Sequence, residues 1–134
     1  MKTKIDMKNS NYRSLYFAAD IRRRVLNLQH KWTDFDPYGA ATYELRDMAD
    51  NAWAMFDTIA ESVDFDFTTA KHPIGRIVAY GTHGYGRFAA EVKGIEGALR
   101  RLMREPYAKN LPVVVCLEGN IRNNLKELKA QGAF

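Results

Sequence analysis

The side chains whose types and spacing best suit ligand chemistry lie in the segment His-Gly-Tyr-Gly-Arg. His83, Tyr85 and Arg87 alternate with glycines, so they project to one side where the segment is extended. An imidazole, a phenol ring and a guanidinium in that arrangement suit an anion or a nucleic-acid base. We therefore predict that these three residues bind nucleic acid or another anion.

The glycines of this segment, Gly81, Gly84 and Gly86, leave two interpretations open. They belong either to a ligand-gripping loop or to the plain turn of a β-hairpin, for which glycine is typical. Their spacing matches neither of the glycine patterns that cradle phosphate, and the residues that follow are typical of a strand. This favours a hairpin over residues 76–92.

Two groups of arginines are further candidates for contacting an anion. They are Arg22, Arg23 and Arg24 in one predicted helix, and Arg100, Arg101 and Arg104 in another. Arg100 and Arg104 are one helical turn apart and share a face, as phosphate contacts require. The alternative is an ordinary solvated helix surface, which is usually charged.

Charge is sorted into three blocks along the chain of 134 residues. Residues 1–32 carry eight Lys and Arg against two Asp and Glu, residues 33–70 one against nine, and residues 71–134 eleven against five. In one interpretation the acidic block packs beside the basic blocks and neutralises them. In the other, the basic blocks leave a positive face for nucleic acid, a nucleotide or an acidic protein.

No catalytic, cofactor or metal-binding motif is recognisable, and the three histidines have no zinc-ligand spacing. The sequence thus favours a non-enzymatic protein with no catalytic residue, no cofactor and no metal. A single cysteine, Cys116, lies in an apolar run that predicts a buried thiol, and it favours a reducing, cytoplasmic setting. No stretch is long and apolar enough for a membrane span.

The periodicity predicts a single α+β domain with a mainly antiparallel sheet of about four strands. The expected helices are residues 14–31, a long acidic helix 37–62, 94–105 and 120–131. The expected strands include the hairpin 76–92, an apolar strand at 112–117, and an alternating segment from Asp64. For residues 14–20 the pattern fits a strand as well as a helix.

The segment His83–Ala90 partly resembles the third-strand signature of RNA-recognition-motif domains. A basic residue, Gly, an aromatic residue and Gly correspond to His83 through Gly86, whereas Arg87 and Ala90 replace aromatic residues of that signature. The resemblance implies a βαββαβ-like order with Tyr85 stacking on a base.

These features predict a protein that engages nucleic acid or a nucleoprotein complex through basic helix faces. One alternative is a small inhibitor or adaptor that blocks a protein partner, such as a nucleic-acid-processing or defence complex, through the acidic helix 37–62. Another is a small nucleotide-binding protein or enzyme with a pocket around His83 and Arg87. The length of the acidic helix also favours a homodimer.

Overall fold

A computed structural model describes residues 8–35, 39–63 and 88–132, with the side chains of residues 33–35, 88 and 89 left aside. Its regular structure in those ranges consists of five helices. They are α1 (Ser10–Phe35), α2 (Ala40–Val63), α3 (Phe88–Met103), the short α4 (Pro106–Lys109) and α5 (Pro112–Ala130). The predicted α+β fold is therefore wrong, and with it the antiparallel sheet and the βαββαβ-like order, because these ranges contain no strand.

The first two helices form where helical periodicity predicts them. Apolar residues recur every three or four positions in α1, and they are buried: Leu15, Ala18, Ile21, Val25, Leu28 and Trp32. The same stripe runs through α1 from its first turns, which settles residues 14–20 as helix rather than strand. In α2 the buried stripe includes Leu45, Met48, Ala52, Met55 and Ile59. The predicted helices 14–31 and 37–62 are both present, although Pro37 lies outside the described residues.

The four long helices form a bundle in which neighbours run antiparallel. α1 packs against both α2 and α3, whereas α5 packs chiefly on α2 and only lightly on α3. Along the α1–α3 contact, Asp20 lies near Arg101 and Lys31 pairs with Glu91. The two helices therefore run in opposite directions. α2 and α3 consequently occupy opposite corners, each flanked by α1 and α5.

A single apolar core lies between the long helices. Its fully buried side chains come from all four, and they include Ile21, Leu28, Met48, Phe56, Ile59, Leu99, Leu102 and Ile121. None of the described helices is both long enough and apolar enough to span a bilayer. The core explains why each helix has one apolar stripe and leaves its remaining faces for charged residues.

The predicted strand at 112–117 is the first part of α5, which extends the predicted helix 120–131 toward the N-terminus. Pro112 stands at the first helical position, where its missing N–H costs nothing, and Leu111 before it is extended. Val114 continues the stripe of Ile121, Leu125 and Leu128, whereas Val113 is 55% and Val115 43% exposed. Cys116 is exposed as well, so the expectation of a buried thiol is also wrong.

The last five residues of the predicted hairpin 76–92 are also helical. Residues 88–92 begin α3, and Val92 is the first member of a buried stripe completed by Ile95, Leu99 and Leu102. The predicted helix 94–105 is thus present with an earlier start. The rest of the hairpin, residues 76–87, and the alternating segment from Asp64 lie outside the described residues.

Candidate nucleic-acid interface

Arginines of α1 and α3 meet around the carboxylate of Asp20. Arg23 Nη2 donates to Asp20 Oδ1 at 2.8 Å, and Arg24 Nε donates to Oδ2 at 3.1 Å. Arg101 Nη2, from α3, lies 3.6 Å from the same Oδ2. Arg24 and Arg101 are 77 positions apart in the sequence, yet they belong to one cluster in the fold.

Asp20 remains ionised within this cluster. Its burial acts to raise the pKa, but the hydrogen bonds and positive charges of Arg23 and Arg24 outweigh that effect and lower the pKa below its ordinary value. One carboxylate thus stands among three guanidinium groups. The cluster keeps an excess of positive charge.

Gly94 of α3 makes room for the guanidinium group of Arg24. A Cβ placed on Gly94 would lie 2.6 Å from Arg24 Nη1, which is too close, whereas one on Gly97 would be in ordinary contact, 3.5 Å from Arg101 Nη1 and 3.7 Å from Arg100 Nη2. The arginine side chains therefore lie across bare helix backbone. A larger residue at position 94 would push Arg24 out of this arrangement.

Three more exposed cations, which we call the basic stripe, lie on α3 and in the turn directly after it: Lys93 and Arg100 on the helix, and Arg104 in the turn. They recur at intervals of seven and four residues, so they lie on one side of α3 and span about 16 Å along its axis. Arg100 and Arg104 form no ion pair within the described part of the chain. Together with Arg23, Arg24 and Arg101 the basic stripe makes up what we call the arginine face.

The other carboxylates of α3 do not reduce the charge of the arginine face. Glu91 Oε1 accepts a hydrogen bond from Lys31 Nζ at 3.1 Å, and Glu96 Oε2 accepts one from Lys129 Nζ at 2.8 Å. Both lysines lie outside the arginine face, on α1 and α5. Of the carboxylates described, Asp20 is therefore the one that offsets the six cations of the face.

Arg22 does not join its neighbours on this face. It is 4% exposed, and its guanidinium carbon lies 3.0 Å from the ring centroid of Trp53 and 5.2 Å from that of Phe56. Burial lowers the pKa of Arg22 to about 10, although the charge of Asp57 acts in the opposite direction. Of the three consecutive arginines, Arg22 faces α2, Arg24 lies against Gly94 of α3, and Arg23 pairs with Asp20 of its own helix.

The remaining predicted site residues are placed as follows. His83, Tyr85 and Arg87 lie outside the described residues, so the structure does not connect them with the arginine face. Lys93 was not among the predicted site residues, although its spacing to Arg100 and Arg104 already places it on their helix face. The glycines at 94 and 97 could not be recognised from the sequence as part of the site, because their role depends on which helix packs beside α3.

The acidic residues of α2 lie on the opposite corner of the bundle. Asp50, Asp57 and Glu61 are exposed on its outer surface, and we call them the acidic stripe. Two aromatic side chains are exposed on the same helix, Tyr43 at 71% and Trp53 at 42%. The acidic stripe therefore does not cover the arginine face, and these two charged surfaces lie on different sides of the described bundle.

A shallow cleft of about 220 Å³ follows the light contact between α3 and α5. It is lined by Glu96, Arg122, Leu125, Lys126 and Lys129. Arg122 is paired with Glu118 of the same helix, and Lys129 with Glu96. Over the described ranges, no group of three or more His, Cys, Asp or Glu is placed to hold a metal ion.

Comparison of the chain with protein-family models, curated proteins and solved structures found no match. Over the described residues, the protein is a helical bundle with a cationic surface built from α1 and α3.

Proposed function

We propose that this is a non-enzymatic binding protein that engages nucleic acid through the arginine face. The observation that supports this proposal is the convergence of Arg23, Arg24 and Arg101, from α1 and α3, on one carboxylate, Asp20, beside the exposed cations of the basic stripe. Phosphates supply most of the affinity of proteins that bind nucleic acid, through Lys and Arg contacts. A surface with this excess of positive charge fits that chemistry.

The dimensions of the basic stripe suit a phosphate backbone. Over the roughly 16 Å that it spans, one strand of duplex DNA presents about five phosphates. Arginine is suited to them because its planar guanidinium donates two parallel hydrogen bonds to phosphate oxygens. Such contacts position a protein on nucleic acid without reading its sequence.

The test is a salt series of binding titrations with labelled duplex DNA and duplex RNA, followed by fluorescence anisotropy. We compare the wild-type protein with the double variant R100Q/R104Q and with the control K109Q/K126Q, which removes two exposed cations outside the arginine face. Loss of two phosphate contacts should reduce the slope of log K against log salt by about 1.8. The control should keep nearly the wild-type slope.

Two results would contradict the proposal. One is wild-type affinity and salt slope in R100Q/R104Q with its helical circular dichroism unchanged. The other is an equal loss in both double variants, which would indicate attraction by net charge rather than by this face.

A second candidate is a protein that binds another protein through the outer surface of α2. It is favoured by the exposure of Tyr43 and Trp53 beside the acidic stripe, since Tyr and Trp are enriched at protein interfaces. The variant Y43S distinguishes the two functions. It should leave nucleic-acid binding unchanged and weaken a protein complex.

A further inference from the structure

The acidic stripe and the basic stripe have the same spacing. Asp50, Asp57 and Glu61 are separated by seven and four residues, and so are Lys93, Arg100 and Arg104. All six side chains are exposed. The acidic stripe lies on α2, whereas Lys93 and Arg100 lie on α3 and Arg104 in the turn directly after it. Equal intervals in sequence therefore place the charges at similar rises and similar angles around the two helix axes.

We infer that the acidic stripe of one copy docks against the basic stripe of a second copy. With the two helices side by side and parallel, Asp50 meets Lys93, Asp57 meets Arg100, and Glu61 meets Arg104. This adds a partner to the second proposed function, and it occupies the α3 surface used by the first. It requires no nucleic acid.

The position of the stripes determines what kind of assembly can form. α2 and α3 lie on opposite corners of the bundle, so one pair of molecules cannot make both contacts at once. Each added copy leaves one acidic and one basic stripe unpaired at the ends. A head-to-tail contact of this kind extends as an open chain or closes into a ring.

The strength of the contact should depend steeply on ionic strength. Exposed ion pairs contribute little each, and salt screens them, so three pairs make a weak interface at physiological salt. Association is expected at about 10 mM salt, where charges act over roughly 30 Å, and is expected to disappear at about 500 mM salt. Tyr43, next to the acidic stripe, adds apolar contact area at the edge.

The experiment is sedimentation velocity of nucleic-acid-free protein at increasing concentration, with two charge-swapped variants. D50K/E61K makes the stripe on α2 basic, and K93E/R104E makes the one on α3 acidic. Asp57 is kept because its charge acts on the buried Arg22. Each variant alone should stay monomeric, and an equimolar mixture should associate again, because basic and acidic stripes then face each other.

The control is E127K, an exposed charge reversal on α5 outside both stripes, which should associate like the wild-type protein. A wild-type protein that stays monomeric at low salt overturns the inference, as does a mixture that associates no more than its components. Association that salt does not weaken also overturns it, since it would indicate an apolar contact such as the exposed Val113 and Val115 of α5. None of these results affects the nucleic-acid titrations, which use separate variants and a separate ligand.

Discussion

The carboxylate of Asp20 on α1 lies 3.6 Å from the guanidinium of Arg101 on α3. The same carboxylate accepts hydrogen bonds from Arg23 and Arg24 of its own helix. Asp20 therefore connects the two helices that carry the arginine face, and it also cancels part of the charge of that face. Removal of the carboxylate should therefore lower the stability of the protein and raise its affinity for nucleic acid.

The variant D20N should bind nucleic acid more tightly than the wild-type protein although it is less stable. Removal of the negative charge releases arginines for phosphates, so one additional contact would steepen the salt slope by about 0.9. Loss of the paired carboxylate should lower the free energy of unfolding by about 1–3 kcal/mol. Anisotropy titrations and urea denaturation measure the two effects. Weaker binding by folded D20N would contradict the assignment of these arginines.

Asp20 should also make the protein sensitive to acid. Its pKa is lower in the folded protein than the ordinary value of 3.8, so it stabilises the fold fully above that value, and this contribution is lost as the pH falls through the lower folded pKa. We expect the free energy of unfolding to fall more steeply below about pH 4 in wild type than in D20N. Urea denaturation across an acidic pH series tests this. Parallel curves for the two proteins would contradict it.

The sequence predicted the helices well where one apolar stripe was long. The stripe covers about five turns in α1, from Leu15 to Trp32, and about six turns in α2, from Ala41 to Val63, so helical periodicity is unambiguous. The prediction of a strand at residues 112–117 was wrong because four consecutive apolar residues, Val113 to Cys116, fit a buried strand by composition. The decisive signals were Pro112 as a helix start and the continuity of Val114 with Ile121, which appear only when the segment is joined to the helix after it.

The sequence predicted most of the arginines that make up the site, but not how they are arranged in space. The grouping of Arg23 and Arg24 with Arg100, Arg101 and Arg104 depends on α1 packing antiparallel to α3, which no local pattern encodes. The inward orientation of Arg22 depends in the same way on Trp53 of α2. Tertiary packing, rather than residue type, decided which arginines share a surface.

Arg22 should contribute to packing and not to nucleic-acid binding. Replacement by Met keeps the apolar volume between Trp53 and Phe56 and removes a buried cation whose Nε has no hydrogen-bond partner among the residues that the structure describes. The free energy of unfolding of R22M should thus stay within about 1 kcal/mol of wild type, or rise. R22A, which leaves a cavity, should lose about 2–4 kcal/mol.

The measurement is urea denaturation of both variants together with anisotropy titration of R22M. Its affinity for duplex DNA should stay close to wild type, in contrast to R100Q/R104Q. A loss in R22M as large as in that double variant would show that Arg22 reaches the nucleic acid.

Asn124 should stabilise the packing of α5 against α2. Its side chain is buried, its Nδ2 donates to Glu44 and, at 2.9 Å, to Asp47, and its Oδ1 accepts from Asn51 Nδ2 at 3.0 Å. The variant N124D replaces the donor by a third carboxylate, so the free energy of unfolding should fall by about 2–4 kcal/mol at neutral pH.

The matched control for this prediction is N120D, one helical turn earlier on the same helix. Asn120 is exposed, and its Nδ2 contacts Asn51 Oδ1 at 3.4 Å, so its loss should cost less than about 1 kcal/mol. Urea denaturation of both variants at neutral pH makes the comparison. Equal losses in the two variants would show that the two carboxylates of α2 do not depend on the amide of Asn124.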